Sequence, residues 1–205
     1  MEILVTILPA FLIFLFSIYK IVKDDYVFIR RNISLEQVFD IAIIVFAIGL
    51  VLMKFSLLGA VLAGIMILYL IAKYKKIPLG RIFDFFTFAF SIALPIGFLS
   101  HAFFVKGMDL TVDIINAVLF LIFAFFSGKV VYPMIMSREV KEGSLHIIFL
   151  VFFTFVSFVD TLFLQQKGNL VLLSIPNILL VIFFIISFFL FFKQANSGFT
   201  NKKRI

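Results

Sequence analysis

The sequence predicts an all-α, polytopic integral membrane protein of about seven transmembrane helices, N-terminus outside and C-terminus inside. Three observations predict it. Of the 205 residues, 64% are apolar and only 14% charged, too few to build a water-facing shell around a soluble core. The apolar residues fall in runs near the 20 or so that a helix rising 1.5 Å per residue needs to cross the hydrocarbon. The Lys and Arg residues gather in alternate connections between those runs, the pattern that orients membrane proteins.

Seven runs follow one another at 3–22, 38–53, 55–72, 82–105, 114–136, 145–164 and 170–192, and 193–205 form a cytoplasmic tail expected to be disordered. The whole chain, 1–205, reads as one transmembrane domain. The first run has Glu2 as its only early charge and no small-residue cleavage site, so it reads as a retained span. Runs two and three are separated only by Lys54. Taken as one helix, 38–72 would extend about 52 Å, well beyond a hydrocarbon core of about 30 Å, so two short spans and a tight hairpin fit better. Between runs one and two, Ser34 and Gln37 have the spacing of a helix start.

With the N-terminus outside, the inner connections hold Lys20, Lys23, Arg30 and Arg31, then Lys73, Lys75, Lys76 and Arg81, then Lys129, Arg138 and Lys141, and finally the tail's Lys193, Lys202, Lys203 and Arg204. Only Lys54, Lys106 and Lys167 remain outside. This asymmetry accounts for the net charge of +7 through cytoplasmic loops and anionic lipid, without nucleic acid as a partner. The 32 Phe sit almost entirely in the apolar runs, where lipid contact tolerates them. Cys is absent, which excludes disulfides, thiol catalysis and Cys-ligated metals. No nucleotide-binding, zinc-protease or serine-hydrolase motif is present, so no cofactor or metal is implied.

Ionisable groups inside spans are costly and therefore mark candidate sites. Asp40 and Asp84 lie near the cytoplasmic boundary and read as structural polar groups, with Lys129 and His146 near the same side. His101 and Asp160 lie about a turn inside the outer boundary, level with Lys54, and Asp113 and Asn116 open the fifth span there. Asp84 and His101 are about 25 Å apart along one helix, so they belong to different layers. A carboxylate in a Phe-rich helix needs a partner, and His101 with Asp160 is the pairing expected. Pro95 is tolerated in a span and is expected to kink it near His101.

The order of these features resembles the prolipoprotein diacylglyceryl transferase family. RRNISLEQVFDIAIIVFAIGLVLMK is similar to that family's second span, with Lys54 where an Arg is usual. FSLLGAVLAGIMILYLIAKYKK is similar to the third, with Leu58 at a His position and Gly59 at one of two glycines. IPLGRIFDFFTFAFSIALPIGFLSHAFF resembles the fourth, where Asp84 and Gly97 match while Phe98, Ser100 and His101 replace an Arg, a Gly and an Asn. GSLHIIFLVFFTFVSFVDTLFL resembles the sixth, with Ser157 and Thr161 at the Arg and Glu positions and Asp160 one residue away. LLSIPNILL resembles the opening of the last span through Ser174 and Asn177.

The resemblance implies a seven-span fold in the bacterial inner membrane and transfer of a diacylglyceryl group from phosphatidylglycerol to the Cys of a lipoprotein precursor. On that reading His101 is the base, Asp160 orients it, and Lys54 and Lys106 bind the lipid phosphate. Two other readings stand beside it. One is a non-catalytic relative that binds lipid or a membrane partner. The other is a small transporter or channel with His101, Asp160 and Lys54 as a polar gate.

Overall fold

The computed structural model describes residues 2–29, 35–53, 57–104, 110–165 and 175–201. All regular structure among them is helical. The helices are α1 (Glu2–Ile29), α2 (Leu35–Met53), α3 (Leu57–Lys75), α4 (Leu79–Phe104), α5 (Leu110–Phe126), α6 (Tyr132–Met136), α7 (Ser144–Gln165) and α8 (Ile175–Asn201). A π-helical segment, Ser127–Val131, joins α5 to α6 without a break. Three helical stretches among the described residues are long and apolar enough to cross a membrane: Leu79–Phe104, Leu110–Met136 and Ser144–Leu162.

Runs two and three are separate helices, α2 ending at Met53 and α3 starting at Leu57. They pack against each other with Gly64 facing Val45. Two ends differ from the sequence expectation. Helix α1 continues to Ile29, past Lys23, and α8 continues to Asn201, so most of the expected disordered tail is helical. Neither extension contains a Pro, and adding a residue to an existing helix costs far less than starting one.

Helix α4 is the axis of the bundle. Ala89, Ala93 and Gly97 recur every four residues on it, forming a strip of small side chains. Against that strip lies α1, with a Cβ at Gly97 coming 3.6 Å from the Ala10 Cβ and Phe14 facing Phe86. Ala89 and Ala93 are buried with Phe14, Ile18 and Ile21 of α1 in one cluster. Close approach over small residues gives dispersion contacts that lipid cannot match, which is how helices associate in membranes. Pro95 does not end α4, which stays helical from Leu79 to Phe104.

Neighbouring helices run antiparallel. In α1 and α2, Phe11 meets Phe46 while Tyr19 meets Phe39. In α4 and α5, His101 meets Asp113 while Phe98 meets Phe120. Farther along the same pair, Phe88 stacks on Tyr132 of α6. In α5 and α7, Asn116 meets Asp160 while Phe123 meets Phe149. Helices α4 and α7 are therefore parallel, in a constant register.

Lipid exposure explains only part of the Phe content. Phe120, Phe149 and Phe153 are among the largest fully buried side chains. Phe120 alone meets Phe98, Phe149, Phe152 and Phe153. Each well-oriented aromatic pair is worth about 0.5–1.5 kcal/mol beyond its area. Other Phe do face outward, including Phe16, Phe125 and Phe189, and such a surface suits lipid rather than water.

Three hinges use special backbone. Lys76, at φ 54°, ends α3, and Pro78 precedes α4. Arg138, at φ 61°, ends α6, and Gly143, at φ 91°, leads into α7. In the π-helical segment the Tyr132 N–H donates to the Ser127 carbonyl, five residues back. Pro133 follows directly and has no N–H to continue an α-helical ladder, a usual cause of such local rewinding.

Candidate functional site

The parallel register of α4 and α7 builds the inner polar layer. Asp84 Oδ1 accepts from the His146 N–H at 3.0 Å, and Oδ2 accepts from the Gly143 N–H. The first N–H groups of a helix have no partner within it and carry its positive dipole end. Asp84 of α4 thus caps α7 from a different helix. The contact depends on Gly80. A Cβ there would lie 2.7 Å from the Glu142 carbonyl carbon and oxygen, so only glycine lets the start of α4 lie on that backbone. Arg81 completes the clasp with two hydrogen bonds to Glu142 Oε1, the one from Nε at 3.0 Å.

One turn on, Thr87 Oγ1 and His146 Nδ1 share a hydrogen bond of 2.7 Å. The Phe83 ring stacks on the imidazole, with centroids 4.6 Å apart and planes 14° from parallel. Register and stacking fix the ring's orientation. His146 and Thr87 face a cavity of about 130 Å³ walled by α1, α2, α3, α4 and α7. Every other lining residue is apolar, and no charged side chain lines it among the described residues. The space arises where Ala60 and Gly64 of α3 stand opposite Phe86, Phe90 and Phe149.

The outer polar layer lies at the other end of α4. His101 Nδ1 and Asp113 Oδ2 are 2.7 Å apart, with side chains 27% and 12% exposed. Both positions suit the helix dipoles, a basic group in the last turn of α4 and an acidic one in the first turn of α5. Asn116 Nδ2 donates to Asp160 Oδ2 at 2.6 Å. Asn116 lies three residues beyond Asp113, so both residues share one face of α5. The Asn116 Oδ1 is buried with no hydrogen-bond partner among the described residues.

The expected His101–Asp160 pair is therefore replaced by two pairs that share α5. The cause is topological, because α5 is the antiparallel neighbour of both α4 and α7. Its Asp113 reaches His101 first, and its Asn116 takes Asp160. His101 does meet a carboxylate, but it is that of Asp113 rather than Asp160.

Lys54 and Lys106, expected to bind phosphate, lie outside the described residues. Asp40 is exposed on α2, Lys129 is exposed in the π-helical segment, and Asn177 is buried near the start of α8. Phe98, at the position where the resemblance expects Arg, stacks on Phe120. Thr161, at the position where the resemblance expects Glu, donates its hydroxyl to the Ser157 carbonyl at 2.8 Å. No group of three or more His, Asp or Glu suited to a metal forms among the described residues.

Sequence reading missed the Thr87–His146 pair and the cavity it faces. The only sequence signal is a shared spacing: Asp84 and Thr87 are three apart on α4, as are Gly143 and His146 at the start of α7.

The chain matches no protein-family model, no curated protein and no solved structure.

Proposed function

We propose that the chain is a lipid-binding, multi-pass protein of the bacterial inner membrane, distantly related to prolipoprotein diacylglyceryl transferase. The observation that carries this reading is the cavity of about 130 Å³ inside the bundle, apolar except at Thr87 and His146. Apolar space of this kind, open on one side, favours the apolar part of a ligand over water. Seven crossings, N-out and C-in, are supported by the antiparallel packing of neighbouring helices and by the charge asymmetry of the connections.

The test is lipid retention. Full-length protein extracted in mild detergent should carry co-purified lipid by native mass spectrometry, and Ala60→Phe, which fills the cavity, should lose it while melting no lower than wild type. Wild type without lipid, or a filled variant with undiminished lipid, would overturn the reading.

One observation favours a second reading, a lipid transferase acting on a lipoprotein precursor. The His101–Asp113 pair has the geometry of a base and its orienting carboxylate. Complementation of a transferase-depleted bacterium separates the two readings. A diacylglyceryl mass shift on a lipoprotein, lost in His101→Ala, supports catalysis. No shift, with the protein present in the membrane, leaves lipid binding alone.

A further inference from the structure

The cavity is chemically lopsided. Its only polar wall is Thr87 with His146, while the rest is Phe, Ile, Leu, Val, Ala and Gly. These two side chains bond each other through His146 Nδ1. The second ring nitrogen, Nε2, makes no hydrogen bond among the described residues. We infer that the cavity selects single-chain amphiphiles with an uncharged hydroxyl head, which docks on the His146–Thr87 pair. This inference rests on the lipid-binding reading above.

Three properties lead to a hydroxyl. First, the Thr87–His146 bond can be polarised either way. If Thr87 donates to Nδ1, Nε2 carries the proton and donates. If Nδ1 donates to Thr87, Nε2 is an acceptor. A hydroxyl matches both states, whereas an ionised carboxylate or phosphate only accepts and an ammonium only donates.

Second, no charged group lines the cavity among the described residues. The charges nearby are already engaged, Asp84 with the start of α7 and Arg81 with Glu142. A charged head would enter without compensation, at a cost that one neutral imidazole does not offset.

Third, the size fits a head and the first part of a chain. A cavity of about 150 Å³ is known to hold benzene, so about 130 Å³ takes the polar end and its first few carbons, and the remainder of the chain lies outside.

The experiment uses the full chain in detergent micelles and three photoactivatable probes of equal chain length: a fatty alcohol, a fatty carboxylate and an alkane. Labelling is mapped by peptide mass spectrometry. The alcohol should label the cavity-facing part of α3 around Gly64 about tenfold more than the alkane, the discrimination expected for one well-made hydrogen bond.

His146→Phe, which keeps the stack on Phe83, and the nearly isosteric Thr87→Val should each reduce the alcohol to the alkane level and leave the alkane unchanged. Equal labelling by alcohol and alkane, or alcohol labelling untouched by both variants, would overturn the hydroxyl selectivity and leave lipid binding standing. Preference for the carboxylate would also overturn it. Absence of cavity labelling by every probe would remove the lipid-binding reading itself.

Discussion

The carboxylate of Asp84 and the backbone N–H of His146 meet at 3.0 Å, joining α4 to the first turn of α7. A second bond to Gly143 gives one side chain two of the amides that α7 cannot satisfy itself. Asp84→Ala should lower stability by about 2–4 kcal/mol, because two buried N–H groups lose their acceptor. Asp84→Asn keeps one acceptor oxygen and should cost less. Thermal unfolding in detergent, followed by circular dichroism, should rank wild type above Asn and Asn above Ala.

Gly80 and Gly97 lie on the same helix and should respond oppositely to alanine. At Gly80 the new methyl would lie 2.7 Å from the Glu142 backbone, whereas at Gly97 its nearest neighbour is the Ala10 Cβ at 3.6 Å. Gly80→Ala should destabilise by about 1–3 kcal/mol through forced movement of α4 against the loop. Gly97→Ala should be neutral, or stabilising by up to about 1 kcal/mol from helix propensity. The two melting temperatures, measured side by side, check this.

The Arg81–Glu142 pair joins the same two segments but is about one-third exposed, at 33% and 34%. Exposure to solvent limits such a pair to about 0–1 kcal/mol. A double-mutant cycle with Arg81→Ala and Glu142→Ala should therefore give a small coupling that shrinks as salt is raised. A coupling near that of a buried charge pair would contradict the observed exposure.

The outer layer makes a sharper demand on coupling. His101→Ala and Asp113→Ala should be non-additive by about 1–3 kcal/mol, and so should Asn116→Ala and Asp160→Ala, since each pair shares a hydrogen bond. His101→Ala and Asp160→Ala should be close to additive. Stability cycles over these three pairs distinguish this arrangement from a direct His101–Asp160 bond.

Much of the bundle was legible in the sequence because membrane helices announce themselves one at a time. Apolar length located them, the break near Lys54 separated α2 from α3, and depth arithmetic put Asp84 and His101 in different layers. Contacts between helices distant in the chain were not legible. His101 and Asp160 lie at similar depth, yet depth does not say which helix stands between them, and α5 does. The Thr87–His146 bond depends on the register of two parallel helices that no hairpin connects. The cavity depends on small residues of α3 facing large ones of α4 and α7. The extra length of α8 was missed because a polar composition was read as disorder, although nothing in it interrupts a helix before Asn201.

The parallel register of α4 and α7 also has a bearing on biogenesis. Asp84 and Gly143 are 59 residues apart, as are Thr87 and His146, with α5, the π-helical segment and α6 between them. A ribosome has made α4 long before the amides that Asp84 holds exist. The clasp is therefore a late event, closed only when α7 arrives, and a chain broken off before Gly143 leaves a bare carboxylate on an unfinished bundle.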